Sequence, residues 1–153
     1  MSEFSPESLP SPYYRVAVKA LIFNAEKQLL VVQNGDGNWE LPGGGWEYGE
    51  SFRDCLDREI DEELGVRVAT ISDIATTYRG MNQNGYMALR LVVVASLEDL
   101  DFTYGDGMLA TRFVGASELA ELQMVTDDAP IKEISAEIWR LSSVPDKTQP
   151  DFS

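Results

Sequence analysis

Apolar residues recur with the period of a β-strand in two neighbouring segments near the start of the chain. Residues 13–23 alternate between polar and apolar and then become continuously apolar, and residues 28–33 form a second apolar run. The four residues between them, 24–27, have turn-like composition. Such runs, separated by a short polar turn, are typical of strands that pair with each other. The pattern predicts a β-hairpin.

Between residues 51 and 65 the apolar period changes to that of a helix. Ser51 suits an N-cap and Gly65 suits the C-terminal cap. The apolar residues of this segment fall on one stripe: Phe52, Cys55, Leu56, Ile60 and Leu64. The spacing predicts an amphipathic helix whose apolar side faces the core. We expect Cys55 to pack there rather than act as a nucleophile.

The remainder of the chain predicts further strands and short helices within one domain. The predicted strands are residues 66–78, 87–97 and 111–115; residues 117–122 predict one or two helical turns; and a last helix is predicted from Pro130 to about Leu141, with Asp127 or Asp128 as its cap. Residues 1–12 and 142–153 are expected to be flexible tails. These elements place a single domain at residues 13–141, without internal repeats.

The charge of the chain excludes several classes of function. The 153 residues carry a formal net charge of -14, which disfavours a nucleic-acid polymer or an anionic membrane as partner. The single cysteine excludes an internal disulfide, and no segment resembles a signal peptide or a membrane span, so a cytoplasmic protein is expected. The lack of histidine excludes a Ser-His-Asp triad and any His-ligated metal. Chemistry must therefore rest on carboxylates and basic side chains.

Carboxylates are concentrated on the polar side of the predicted helix. Glu59, Glu62 and Glu63 have the spacing i, i+3 and i+4, which places them on one face, and Arg58 lies at i, i+4 from Glu62. A solvated acidic face is one interpretation. The absence of balancing lysines favours a bound hard cation, for which Mg²⁺ or Mn²⁺ fits oxygen ligands. The glycines at 43–45 predict a turn or, given their position just before this helix, a backbone that closely approaches a ligand or ion.

Residues 44–66 resemble the sequence signature of the Nudix hydrolase family. All defined positions of that signature are filled: Gly44, Glu50, Arg58, Glu59, Ile60, Glu62, Glu63, Gly65 and Val66. The resemblance implies an α/β fold (α+β mixed), an α/β/α sandwich around a mixed β-sheet. It also implies Mg²⁺- or Mn²⁺-dependent hydrolysis of the pyrophosphate bond in a nucleoside diphosphate linked to another group, by attack of water on phosphorus.

The same resemblance implies roles for individual residues. Glu59, Glu62 and Glu63 would bind the metal together with the Gly43 carbonyl. Family members differ in the carboxylate that serves as general base, so Glu59 is a candidate for that role as well. Arg58 would orient a glutamate of the site, which makes Arg58, Glu59 and Glu62 the expected catalytic residues.

Four further carboxylates are candidates with supporting roles. Glu50 and Glu47 are expected to support the loop and the metal ligands from outside the ligand set. Asp106, in an acidic loop, is either a further carboxylate of the site or simply solvated. Asp128 stands two residues before Pro130, where related proteins place a side chain that reads the base, and its alternative role is a helix cap.

The substrate is less closely defined by the resemblance. The short single domain and residues 38–44 (NWELPGG) are similar to the MutT-type nucleoside triphosphate pyrophosphatases. The alternatives are an ADP-ribose, nucleotide-sugar or dinucleoside polyphosphate hydrolase, and a non-catalytic module that binds a nucleotide. In each case the expected partner is a small nucleotide, and a homodimer is compatible with the sequence.

Overall fold

The computed structural model describes residues 6–143, and regular secondary structure covers most of that range. The strands are β1 (Arg15–Leu21), β2 (Leu29–Gln33), β3 (Trp39–Glu40), β4 (Gly43–Gly45), β5 (Val68–Met81), β6 (Met87–Leu97) and β7 (Ala110–Val114). The helices are α1 (Phe52–Leu64), α2 (Ala116–Glu121) and α3 (Ser135–Leu141), with 3-10 segments at Pro6–Ser8 and Ala129–Ile134. The predicted tail residues 1–5 and 144–153 lie outside the described residues.

The strands form two sheets. The larger has the order β4-β1-β6-β5, and the smaller has the order β3-β2-β7. Strands β1 and β6 run parallel, whereas the other paired strands are antiparallel. The predicted mixed sheet is therefore confirmed.

Helices cover the sheets on opposite sides and give two apolar cores. In the first core, α1 buries Cys55, Leu56, Ile60 and Leu64 completely against both sheets. The second core lies under the C-terminal segments, where Leu119, Ile131 and Ile138 pack against residues of β1, β2 and β6. Full burial of a large aliphatic side chain contributes about 1.5–3 kcal/mol. Apolar residues on both sides of the sheet thus explain the α/β/α sandwich.

The predicted hairpin between β1 and β2 is wrong beyond its first residues. Leu30 N–H donates to the Ile22 carbonyl at 2.8 Å, and Phe23 forms an isolated bridge with Leu29. The two strands then separate into different sheets. Both strands are buried on both faces, so each is covered by a core on either side rather than forming one face of a simple hairpin.

The three glycines form strand β4 rather than a turn. Gly43 pairs with Lys19 and Gly45 pairs with Ala17 in antiparallel register with β1. Gly43 has a φ of 121°, and a Cβ there would lie 2.1 Å from the Val18 carbonyl oxygen. Only glycine allows the backbone to run this close to β1.

The predicted last helix is divided into two parts. Its first turns, Ala129–Ile134, are 3-10, and an α-helix follows over Ser135–Leu141. Asp128 occupies the residue before this segment, but its side chain makes no capping hydrogen bond. The cap alternative for Asp128 is therefore wrong. Among residues 6–143, no helix is long and apolar enough to cross a membrane.

Candidate active site

Both ends of α1 are fixed by the capping signals that the sequence predicts. The Ser51 hydroxyl accepts a hydrogen bond from Asp54 N–H at 3.1 Å, and the Asp54 carboxylate accepts one from Ser51 N–H at 3.3 Å. Gly65 ends the helix in the left-handed conformation with φ 67°. These local contacts set where each carboxylate of α1 lies along the helix.

The loop after β6 docks onto the C-terminal end of α1. Thr103 N–H donates to the Leu64 carbonyl at 2.9 Å, and Gly105 N–H donates to the Glu63 carbonyl at 3.0 Å. Helix carbonyls at this end have no partner within the helix, so the loop satisfies them. A Cβ on Gly105 would lie 2.4 Å from the Glu62 carbonyl, so glycine permits the contact. The next residue, Asp106, is thereby held beside α1.

Glu59, Glu62 and Asp106 form a cluster of carboxylates. One oxygen from each lies within 4.8 Å of the other two. The side chain of Glu59 is 14% exposed and that of Glu62 is 46% exposed, so the cluster opens to solvent on one side. Two of these charges also lie near the negative end of the α1 dipole, which is unfavourable without a cation. The structure therefore brings Asp106 together with two of the predicted metal ligands.

Arg58 connects this cluster to the loop before α1. Its Nε and Nη2 donate to the two oxygens of Glu50 at 3.1 and 2.8 Å, which is bidentate geometry. Nη1 donates to Glu59 at 2.8 Å and to Glu62 at 3.5 Å, and Nη2 also donates to the Gly45 carbonyl at 2.9 Å. The arginine thus holds Glu59 in place and links it to β4.

The charges around Arg58 shift the acidity of both its glutamate partners. Hydrogen bonds from Arg58 lower the pKa of Glu50 to about 2. For Glu59, burial raises the pKa, and this effect exceeds the lowering by Arg58. Glu50 is therefore the permanently charged partner of Arg58, whereas Glu59 is the more basic carboxylate.

Glu47 is placed less firmly than Glu50. Its side chain is 71% exposed, and its carboxylate lies 4.0 Å from Arg58 Nη2. Its backbone N–H, in contrast, donates to Glu50 at 2.9 Å. An exposed ion pair at this distance contributes little. The support that Glu47 gives to the site comes from its backbone.

Glu63 is buried between α1 and β4 and does not share the open face of Glu59 and Glu62. It is 2% exposed, and its carboxyl accepts a hydrogen bond from Gly43 N–H at 2.8 Å. Burial raises its pKa to about 8 despite the nearby charge of Lys19. Glu63 thus binds β4 (Gly43–Gly45), called the glycine strand below, while its predicted role as a metal ligand stays a prediction.

Gly44 gives Glu59 the space it occupies. A Cβ at this position would lie 2.4 Å from the carboxyl carbon of Glu59 and 2.5 Å from one of its oxygens. At Gly45, in contrast, a Cβ would meet nothing within 4 Å. The backbone of Gly44 thus closely approaches the catalytic candidate Glu59, while the predicted approach of these glycines to a ligand or ion stays a prediction.

A buried ionic network next to this site was not predicted from the sequence. It contains Lys19, Glu40, Tyr78, Arg90, Asp127 and Asp128. The signal for it is present: Lys19 and Arg90 interrupt otherwise apolar strands, and buried charges require partners. The identity of the partners is not visible in the sequence, because they lie in distant segments.

Asp128 is the centre of this network. Its side chain is fully buried; Oδ1 accepts from Tyr78 at 2.8 Å and from Arg90 at 3.1 Å, and Oδ2 accepts from Leu41 N–H at 3.0 Å. Burial opposes ionisation, but Lys19 and Arg90 outweigh it and lower the pKa of Asp128. Because both oxygens already have donors, a substrate contact at Asp128 would require an exchange of partners. That contact stays a prediction.

Cys55 is buried next to the glycine strand. Its sulfur lies 3.4 Å from the Gly45 carbonyl oxygen and 3.6 Å from that of Gly44. Burial raises the pKa of the thiol to about 12, so the nucleophilic thiolate is disfavoured. The location agrees with the predicted packing role.

The oxygen-rich cluster fits a hard divalent cation. Carboxylates of Glu59, Glu62 and Asp106 are the ligand type that Mg²⁺ and Mn²⁺ prefer, and their mutual repulsion is relieved by a cation. Binding of a cation needs ionised carboxylates, so a cation at Glu59 would have to overcome the effect of burial, which raises the pKa of this carboxyl.

Comparison with known proteins identifies the family. The family model described as the NUDIX domain matches residues 13–133 of the chain. The chain therefore belongs to the Nudix family, as its sequence signature indicates. Nudix hydrolases generally use divalent metal ions, and relatives in this family act on small nucleotide substrates.

Two curated relatives and one solved structure illustrate the similarity. An RNA pyrophosphohydrolase of Ruthia magnifica subsp. Calyptogena magnifica is 39% identical over 70 residues, which cover 45% of this chain and 39% of that protein. A MutT-like protein of Streptomyces ambofaciens is 32% identical over 84 residues, which cover 54% and 53%. The MutT protein of Methanosarcina mazei Go1 has the same fold, with a TM-score of 0.73, 20% identity and coverage of 89% and 100%. The sequence match thus spans about half the length of these curated relatives.

Proposed function

We propose that the protein is a Mg²⁺- or Mn²⁺-dependent pyrophosphohydrolase of small nucleotides. The observation that carries the proposal is the carboxylate cluster in which Glu59 and Glu62 of the complete family signature lie close to Asp106. A bound divalent cation would neutralise phosphate charge and lower the pKa of a bound water. The proposed substrate class is a nucleoside triphosphate or another nucleoside diphosphate linked to a second group.

The residues of the site have separate proposed roles. Glu59, Glu62 and Asp106 hold the cation, and Glu63 of α1 and the Gly43 carbonyl of β4 complete its surroundings. Glu59 also accepts a proton from the attacking water, because the hydrogen bond from Arg58 and the space over Gly44 hold its carboxyl group beside the cation site. Arg58 orients Glu59 through the 2.8 Å hydrogen bond. Asp128 is the proposed residue for base recognition, and a contact with the base would require it to exchange one of its present partners.

The names of two relatives support this class but leave the substrate open. The relative from Ruthia magnifica is an RNA pyrophosphohydrolase, and a relative from Mycobacterium tuberculosis that is 37% identical over 90 residues is a putative 8-oxo-dGTP diphosphatase. Both names describe cleavage of phosphate anhydrides, the first in RNA and the second in a nucleotide. We propose the nucleoside triphosphate class first, with ADP-ribose, nucleotide-sugars and dinucleoside polyphosphates as the alternatives.

A panel of nucleotides tests the proposal. Release of pyrophosphate or phosphate is measured for nucleoside triphosphates, 8-oxo-dGTP, ADP-ribose, a nucleotide-sugar, a dinucleoside polyphosphate and a 5′-triphosphorylated RNA, with and without Mg²⁺. Metal-dependent release from at least one of these is expected. Retained nucleotide binding without turnover across the whole panel would instead favour a non-catalytic binding module.

Substitution of the acidic residues tests their roles. Glu62→Gln is expected to lower kcat by at least about 100-fold, because it removes one charged oxygen ligand while preserving shape. The measurement is steady-state kinetics on the best substrate of the panel, with circular dichroism to verify folding. The matched control is Glu121→Gln, an exposed glutamate of α2. Activity of the Glu62 variant within a few-fold of the parent would contradict the assignment.

The oligomeric state and the compartment also remain proposals. A homodimer and a cytoplasmic location are compatible with the acidic, histidine-free chain. Light scattering of the purified protein measures the first, and fractionation of the source cells measures the second.

A further inference from the structure

Residues 41–43 lead into Gly44, and each of their backbone N–H and carbonyl groups has a hydrogen-bond partner. Leu41 N–H donates to Asp128, and the Leu41 carbonyl accepts from Lys19. The Pro42 carbonyl accepts from Ala20 N–H at 2.9 Å. Gly43 N–H donates to Glu63, and the Gly43 carbonyl accepts from Lys19. Side chains from other segments therefore make four of these five hydrogen bonds.

Lys19 makes two of those four bonds from the middle of β1. Its side chain is 4% exposed, and Nζ donates to the Leu41 carbonyl at 3.0 Å and to the Gly43 carbonyl at 3.1 Å. Glu40 lies 3.4 Å and Asp128 lies 3.7 Å from the same nitrogen. An ammonium group has three N–H donors, and the surrounding oxygens use them fully.

We propose that Lys19 is a positioning residue of the candidate active site. It holds the Leu41 and Gly43 carbonyls in one orientation, so that β4 presents the Gly43 N–H to Glu63 and the open face of Gly44 to Glu59. The inference deepens the proposed function, on which it rests for the chemistry of the site. It assigns a role in that site to a residue outside residues 44–66.

The contacts of Gly43 explain why this position matters for the acidic cluster. Glu63 lies on α1 one residue after Glu62, and its carboxyl is held by Gly43 N–H at 2.8 Å. On the other side of the same residue, Lys19 holds the carbonyl that the family resemblance implies as a metal ligand. A carbonyl oxygen has two lone pairs, so this hydrogen bond fixes its direction and leaves acceptor capacity.

The same lysine connects the glycine strand to the C-terminal segments. Asp128 Oδ2 lies 3.7 Å from Lys19 and accepts from Leu41 N–H at 3.0 Å, and Oδ1 accepts from Tyr78 and Arg90. Asp128 immediately precedes the 3-10 segment Ala129–Ile134. Two buried charged side chains, Lys19 and Asp128, therefore connect the glycine strand to this segment.

A purely space-filling role would not require a charge at position 19. Burying an ammonium group costs several kcal/mol, and an apolar side chain of similar length would avoid that cost. The Lys19 ammonium group donates hydrogen bonds to two carbonyls of the site and offsets the charges of Glu40 and Asp128. Positioning and charge compensation can be tested separately. Positioning acts on the Gly43 carbonyl, whereas charge compensation acts on Glu40 and Asp128.

The test compares Lys19→Met with a double variant, Lys19→Met/Asp128→Asn, in which one positive and one negative charge are removed together. Binding of Mn²⁺ is titrated by electron paramagnetic resonance in the absence of substrate, and amide hydrogen exchange is measured for Leu41 and Gly43. We expect the Mn²⁺ dissociation constant to rise at least about 10-fold in both variants, the typical cost of losing a group that orients a ligand. Exchange at Gly43 should accelerate, while amides in the centre of β6 keep the parent's protection. With substrate, kcat should fall more than KM rises.

The matched control is Lys132→Met. Lys132 also donates to two backbone carbonyls, those of Ala120 and Leu122, but it lies in the 3-10 segment away from β4. Its loss should change stability without changing Mn²⁺ binding or Gly43 exchange.

Three outcomes would overturn the inference. A folded Lys19→Met variant with the parent's Mn²⁺ affinity and Gly43 exchange would do so. Full recovery of both quantities in the double variant would also do so, because it would reduce Lys19 to a charge partner of Asp128. If Lys19→Met does not fold, the double variant alone is the test. A Mn²⁺ affinity and a Gly43 exchange rate in the double variant equal to those of the parent would then overturn the inference. A parent protein that binds no Mn²⁺ would instead contradict the proposed function, while Gly43 exchange would still test Lys19.

Discussion

Glu63 is a carboxylic acid whose surroundings make it weakly acidic. It lies between α1 and β4, is 2% exposed and has its pKa raised to about 8 by burial. In the metal-free protein at neutral pH the protonated form is therefore favoured, although the carboxyl still accepts the hydrogen bond of Gly43. A cation that used this residue as a ligand would have to displace its proton, so metal affinity should increase with pH.

The raised pKa of Glu63 predicts a pH-dependent contribution to stability. Between the ordinary value of 4.5 and about 8, the folded metal-free protein holds a proton that the unfolded chain has released. This contribution is fully present below the lower value and is lost as the pH rises through the upper one. Glu63→Gln keeps a neutral acceptor for Gly43, so it should raise the melting temperature relative to the parent more at about pH 9 than at about pH 5.

Thermal unfolding in the presence of a chelator measures this difference. The control is Glu26→Gln, because Glu26 is exposed in the turn between β1 and β2. Its effect on the melting temperature should be the same at both pH values. An effect of Glu63→Gln that is equal at the two pH values, or larger at the lower one, would contradict the burial argument.

At the scale of single elements, the contact between β4 and α1 controls the geometry of Glu59. The carboxyl of Glu59 lies over Gly44, where a Cβ would approach its carbon to 2.4 Å. On the other side it is held by Arg58, which is itself bound to Glu50 and to the Gly45 carbonyl. Glu59 consequently has little room to move without breaking the arginine contact.

Gly44→Ala should therefore lower activity more than stability. The added methyl group displaces the end of the Glu59 side chain, and a displacement of about 1 Å at a catalytic group can reduce the rate about 100-fold. Gly45→Ala is the matched control, since its Cβ would meet nothing within 4 Å. The measurements are kcat on the best substrate and the melting temperature of each variant. Equal activity of the two variants would show that Glu59 adapts to the methyl group.

The elements that were predicted correctly are those specified by nearby residues. The caps of α1 at Ser51 and Gly65 use contacts within a few residues, and strand β6 occupies residues 87–97 as its continuous apolar run indicates. The candidate ligands Glu59 and Glu62 could likewise be found from spacing on one helix. Their proximity to Asp106 could only be expected from the resemblance, because it depends on a loop that docks from about 40 residues away.

The features that were missed depend on contacts between distant segments. The separation of β1 and β2 into two sheets follows from burial of both strands on both faces, which an apolar run alone does not distinguish from a hairpin. The role of Asp128 depends on Lys19, Leu41, Tyr78 and Arg90, which lie 38 to 109 positions before it. No periodicity encodes such a network.

At the scale of the whole molecule, the chain carries a net charge of -14, and part of that excess is concentrated at the C-terminal end of α1. Repulsion within such a cluster opposes folding, and the chain offers Arg58 as the basic side chain in direct contact with it. A divalent cation is the simplest means of relieving the repulsion.

Millimolar Mg²⁺ or Mn²⁺ is accordingly expected to raise the melting temperature. A ligand at 100 times its dissociation constant stabilises the folded state by about 2.7 kcal/mol if it does not bind the unfolded chain. Ionic strength must be matched with NaCl, because general screening also relieves repulsion in a strongly acidic protein. The Glu62→Gln variant should show a smaller increase. An identical increase in that variant would place the stabilising cation at another site.

The bonding of residues 41–43 has a consequence for how the protein folds. Their partners come from β1, α1 and the segment before the 3-10 turns, at separations of 20 to 87 residues along the chain. Contacts with such separations close long loops, and the lost chain entropy is offset only when several of them form together. The glycine strand should thus acquire its native conformation together with the elements that supply its partners. The acidic site would therefore mature with the fold as a whole and not from residues 44–66 alone.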